Sequence, residues 1–145
     1  MRQEWKRHAL GEEENNMRKI IEVPYIDQSV SYPTGCESVS ATMLLQYLGY
    51  EITVDEFIRN YVPCVPMQER DGQLYGPDPR KAFCGSPYDK DSFGCYAPVI
   101  CEALQKAVGD KYRVVDETGT SMQELIQRYI DREMPVVFWA CIDMK

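Results

Sequence analysis

The sequence predicts an α+β domain in which a helical amino-terminal part, its central helix starting at Cys36, packs against strands. Three observations predict this class. Apolar residues recur at helical spacing from Cys36 to Leu48, Thr53 to Val62 and Pro98 to Val108, with a further stripe after Ser121. Thr53 with Glu56 and Ser121 with Glu124 match capping boxes, in which a hydroxyl and a carboxylate satisfy the free N–H groups of a helix start. The run VVFWACI, Val136 to Ile142, is continuously apolar, as in a strand buried on both faces.

Taken in order, residues 1–18 carry charge at both ends and no apolar core segment, so they read as a flexible leader and not as a secretory signal peptide. Residues 19–145 then form one domain, a size sufficient to bury a core. KIIEV, Lys19 to Val23, alternates and predicts a short strand ending at Pro24. The segment up to Gly35 is loop. The first helix carries Val39, Met43, Leu44, Tyr47 and Leu48 on its stripe and stops at Gly49. Val54, Phe57, Ile58, Tyr61 and Val62 make the second, ended by Pro63.

Pro63 to Ala97 is rich in Gly, Pro, Asp and Tyr and reads as one long irregular loop. Loops of that length usually belong to a binding or catalytic face, and Tyr75, Phe83, Tyr88, Phe93 and Tyr96 offer it apolar anchors. Pro98 opens the third helix, with Ile100, Ala103, Leu104, Ala107 and Val108 inward and Gly109 beyond. YRVVD, Tyr112 to Asp116, predicts a strand. The fourth helix presents Met122, Leu125, Ile126, Tyr129 and Ile130 before the final apolar strand.

Composition removes several classes of function. Asp and Glu outnumber Lys and Arg 23 to 16, a net charge of -7, which argues against nucleic acid as a partner. No apolar run approaches the roughly 20 residues that cross a bilayer, so no membrane-embedded segment is expected. The six cysteines include no CxxC pair, and the one histidine is His8, so no zinc site is read and no metal or other cofactor is implied. Cys64 with Cys84, or Cys95 with Cys101, are candidate disulfides, but free thiols are the expectation. Asp89 and Asp91 lack the dense oxygen spacing of calcium loops and read as solvated.

The chemistry-bearing residue is Cys36. A Pro-Thr-Gly turn delivers it to the start of a helix, where partial positive charge favours a thiolate and free N–H groups await an oxyanion. Gly35 before it and Glu37 and Ser38 after it point to a partly exposed position; the alternative is a buried structural cysteine. His8 lies upstream in the leader and does not read as a base.

Three stretches carry a resemblance: VPYIDQ followed by PTGCESVSATMLLQYLG, the loop FCGSPYDKDSFGCYAPVI, and MPVVFWACIDM. In these the chain resembles papain-like cysteine peptidases of the group related to bacteriocin-processing (double-glycine) peptidases. The resemblance implies a papain-like fold, its helical part packed on an antiparallel sheet that is incomplete here, a peptide or protein substrate, Cys36 as nucleophile and Gln28 as oxyanion-hole donor. Gly35, Glu37 and Tyr96 within the same motifs, and Tyr32 just before Pro33, are the candidate substrate contacts. In such relatives a histidine opens a strand downstream of the one matching VVFWACI, and an Asp or Asn orients it. Neither position exists here, so the chain is expected to be inactive or incomplete, with a peptide-binding domain as the alternative. Glu37 stands where many members have glycine, and a carboxylate there would partly offset the helix-end activation of the thiol. A terminal apolar strand without a neighbour also predicts self-association through Val136 to Ile142.

Overall fold

The computed structural model describes residues 19–140. Three helices pack on one another: α1 (Cys36–Tyr47), α2 (Val54–Tyr61) and α3 (Ala97–Val108). Each starts where the sequence supplies a start signal. Thr53 accepts from the Glu56 N–H at 3.2 Å while the Glu56 carboxylate accepts from the Thr53 N–H at 2.8 Å, completing the α2 capping box. Proline in the first turn opens α3, and Gly109 caps its end. A shorter α4 (Met122–Arg128) begins at the Ser121 and Glu124 box and runs into a 3-10 turn, Ile130–Arg132.

The stripes of α2 and α3 are the buried faces, with Phe57, Ile100, Ala103 and Leu104 inside one core cluster. In α1 the buried face is different from the stripe. Ser38, Val39, Ala41, Thr42 and Leu45 are buried, whereas Met43, Leu44, Tyr47 and Leu48 are only partly covered. The reason is that α1 is wedged between two cores: Ala41 and Leu45 face the main one, and Val39 joins Val54 and Ile58 in a second. Small side chains allow that double approach. In α4 only Leu125 is buried, and Met122 and Ile126 are exposed.

The strands differ most from expectation. Among the described residues Lys19 to Val23, Tyr112 to Asp116 and residues 136–140 pair with no strand; Cys141 and Ile142 lie outside the described residues, as do the leader and His8. Phe138 is 56 % exposed, so this stretch is not buried on both faces. Strand propensity without a partner for the backbone N–H and C=O groups does not make a sheet.

The long loop, in contrast, holds the regular pairings. β1 (Cys64–Val65) pairs in parallel with β4 (Phe83–Cys84), and β2 (Gln68–Arg70) with β3 (Gln73–Tyr75) forms an antiparallel hairpin. The hairpin turns at Asp71 and Gly72, both with positive φ, 53° and 74°. That Asp-Gly pair is a hairpin signal. Of the five aromatic anchors only Phe83 is buried; Tyr75, Tyr88, Phe93 and Tyr96 remain exposed. The class still holds: helices with small sheets, the loop face lying over the start of α1.

Candidate active site

Two consecutive turns aim the chain into α1. The Tyr32 N–H donates to the Gln28 carbonyl at 2.9 Å, and the Gly35 N–H donates to the Tyr32 carbonyl at 3.0 Å. Gly35 then caps the helix, its carbonyl accepting from the Val39 N–H at 2.9 Å. A Cβ at Gly35 would lie 3.0 Å from the Tyr32 Cβ and 3.1 Å from the Pro87 Cβ, so the glycine lets the long loop close over the turn. Thr34 Oγ1 secures the same junction, 2.7 Å from the Asp89 carbonyl. Cys36 follows as the first helical residue, and it is exposed.

Glu37 turns inward and is buried. The Cys36 Sγ–H donates to its Oε2 at 3.2 Å, and the Cys95 N–H donates to its Oε1 at 3.1 Å. Gly94 makes room: its φ is 102°, and a Cβ there would sit 2.6 Å from Oε1. On the far side of the same residue, the Cys95 carbonyl accepts from Trp139 Nε1 at 3.3 Å.

Electrostatics at the thiol run against the helix-end expectation. Burial first, then the charge of Glu37 and its hydrogen bond, push Cys36 from an ordinary 9.0 up to about 11. A helix end contributes about 0.3–1 kcal/mol, less than one pKa unit, so it is outweighed by a carboxylate in contact. At neutral pH roughly one thiol in 10⁴ is then ionised. The offset foreseen for Glu37 is present and is second to burial.

Gln28 is half-buried, and its side-chain amide donates to the Tyr32 carbonyl at 3.4 Å, not to the thiol. The Tyr32 hydroxyl donates to Asp55 Oδ1 at 3.1 Å, and the Tyr88 hydroxyl donates to the same oxygen at 2.7 Å, with the two rings 5.6 Å apart. Tyr32 is thereby a brace between α2 and the loop. Tyr96 precedes α3, with the Arg80 guanidinium 5.8 Å from its ring. It borders an apolar cleft of about 980 Å³ between α1, α3 and residues 134–139, lined by Leu44, Ile100, Leu104, Phe138 and Trp139 among others. Cys36 does not line that cleft, but Trp139 and Tyr96 do, and both adjoin Cys95.

The model of the Peptidase_C39 like family matches residues 20–145. The chain belongs to the Peptidase_C39 like family. The uncharacterized protein YvpB of Bacillus subtilis (strain 168) is 34 % identical to it over 102 residues, 70 % of this chain and 38 % of YvpB. The crystal structure of a protein described as a C39-like peptidase from Bacillus anthracis matches with a TM-score of 0.62 and 27 % identity, over 75 % of this chain and 52 % of that one. The fold is therefore that of a papain-like, C39-related peptidase. The chain spans less than two thirds of either relative's length.

Within this C39-like domain the cysteines beyond Cys36 are free where described: Cys84 and Cys95 buried, Cys101 half-buried, Cys64 exposed. The candidate bridges are not formed. Burial raises all four thiols above their ordinary value. Among the described residues no group of three His, Cys, Asp or Glu is placed to hold a metal. Sequence reasoning missed Gly94, Cys95, Trp139 and Asp55. The repeat of Gly-Cys just before a helix, at Gly35-Cys36 and Gly94-Cys95, was the available signal for the second pair.

Proposed function

We propose that the domain is built for thiol acyl transfer on peptide or amide bonds, with Cys36 as nucleophile and Gln28 as oxyanion donor, and that with no histidine after Cys36 to act as base it turns substrate over slowly at most. The observation that carries this is an exposed thiol at the first residue of α1, behind the Gln28 to Gly35 turns, in a chain of the C39-like family. In the reaction Cys36 sulfur bonds to the carbonyl carbon, the C–N bond breaks, and the nitrogen leaves with the thiol's proton. Water then attacks the thioester, releasing the acid and restoring the thiol. The Gln28 amide serves by leaving the Tyr32 carbonyl for the carbonyl oxygen of the substrate, on which charge accumulates.

Two reactions at the same sulfur test the reading. Acylation by an activated peptide ester passes through an oxyanion, whereas alkylation by iodoacetamide does not. Gln28→Ala is expected to slow acylation on the order of 10²-fold and to leave alkylation unchanged, with Cys36→Ser abolishing the adduct. Equal effects on both reactions, or acylation spread over several cysteines, would remove Gln28 and Cys36 from these roles.

The raised thiol favours a second reading, in which the domain binds a peptide without cutting it. Stoichiometric binding of a peptide to the Cys36→Ser protein, with no thioester formed by the native one, is its expected result.

A further inference from the structure

Glu37 is oriented in a way that helix stability does not explain. An acidic residue in the first turn of a helix interacts favourably with the helix end while remaining in water. Glu37 gives up that hydration: it is 8 % exposed, and each of its oxygens is bonded to a separate group. Burying a carboxylate is unfavourable unless its partners compensate. Both partners here are uncharged, a thiol and a backbone N–H. The surroundings are shaped to the carboxylate, because Gly94 at φ 102° leaves the space that any side chain would take from Oε1.

We propose that Glu37 is a positioning residue: it keeps the proton on Cys36 and latches the thiol to the loop at Gly94 and Cys95, releasing the nucleophile when the contact opens. This rests on Cys36 being the nucleophile of the proposed reaction. The latch has a second end. Cys95 accepts from Trp139 through its carbonyl while donating to Glu37 through its N–H, so one residue joins the 134–139 segment to the thiol. A ligand or chain segment that displaces Trp139 from the cleft wall shifts Cys95 and loosens the Glu37 contact. The titratable groups around the latch are Cys36 and Cys95, with Cys64 and Cys84 near enough to act on the Cys95 thiol.

The pH dependence of Cys36 alkylation in the full chain, read by peptide mass spectrometry, tests the latch. Glu37→Gln keeps the size and the bond its oxygen accepts from the Cys95 N–H, turns an NH2 donor towards the Cys36 sulfur, and removes the charge. Its alkylation midpoint is expected to fall by a unit or more, a gain of roughly tenfold in rate at pH 8. Trp139→Phe, which keeps the ring and loses the N–H, is expected to shift the midpoint in the same direction by less. An unchanged midpoint in folded Glu37→Gln protein overturns the proposal, and an unchanged one in Trp139→Phe overturns the coupling to the cleft.

If Glu37→Gln does not fold, the infrared S–H stretch of native protein against Cys36→Ser decides. A band lowered from the frequency of a solvated thiol supports the latch, and a band at that frequency refutes it. Acylation by the activated ester is a separate readout, so a midpoint shift without acylation leaves Glu37 as a latch on a thiol that is not a peptidase nucleophile.

Discussion

Asp55 receives two phenolic hydroxyls on one oxygen, from Tyr32 in the turn before Cys36 and from Tyr88 in the long loop. Burial and this carboxylate push Tyr88 from 10.0 up to about 12. Asp55→Asn removes the charge while keeping an acceptor, so Tyr88 is expected to titrate closer to an ordinary tyrosine. An ultraviolet difference titration against Tyr88→Phe measures it, and an unmoved transition would assign the whole shift to burial. At this scale the sequence was readable where function is local. Cys36 stood out from its turn and helix start, and the neighbouring carboxylate was visible as an opposing influence. What holds Glu37 inward was not visible, because its second partner, Cys95, is 58 residues away along the chain.

The elements show which sequence signals are self-sufficient. α2 carries both a complete capping box and an unbroken stripe, and both appear as expected. Thr53→Ala, which deletes one half of the box, is expected to lower stability by about 1 kcal/mol in urea denaturation. A loss below about 0.3 kcal/mol would mean that tertiary packing alone defines the start of the helix. α1 was legible as a helix but not in its orientation. Helix-stripe reasoning follows large apolar residues, and the close contacts of α1 use Ser38, Ala41 and Thr42. The predicted strands at 19–23 and 112–116 failed for a related reason: a strand is a property of two segments, and a single alternating run does not name its partner. The Asp71-Gly72 signal was present but lay in polar surroundings where no alternating strand drew notice.

At the scale of the whole molecule, the raised thiols couple stability to alkaline pH. Cys36, Cys64, Cys84, Cys95 and Cys101 all hold their protons more tightly when folded. Unfolded thiols ionise near 9.0, so above that pH the unfolded state binds fewer protons than the folded one and stability falls as pH rises. This contribution is intact below about pH 9, and for Cys36 it is lost as pH rises towards 11. Thermal melts from pH 8 to 11 are expected to show a continuous decline, less steep in Cys95→Ala; a flat profile would contradict the buried thiols. The exposed Phe138 and Trp139 leave residues 136–140, the described part of the expected strand, as the proposed surface for self-association. Light scattering is expected to show a mass that rises with concentration, and a constant monomer mass would rule it out. The parallel pairing of β1 with β4 has a different kind of consequence. The chain departs from the core and rejoins it side by side, so the solvent-facing arm from β2 to β3 is anchored only at its base. Insertions or deletions in that arm are therefore expected to disturb the rest of the domain little.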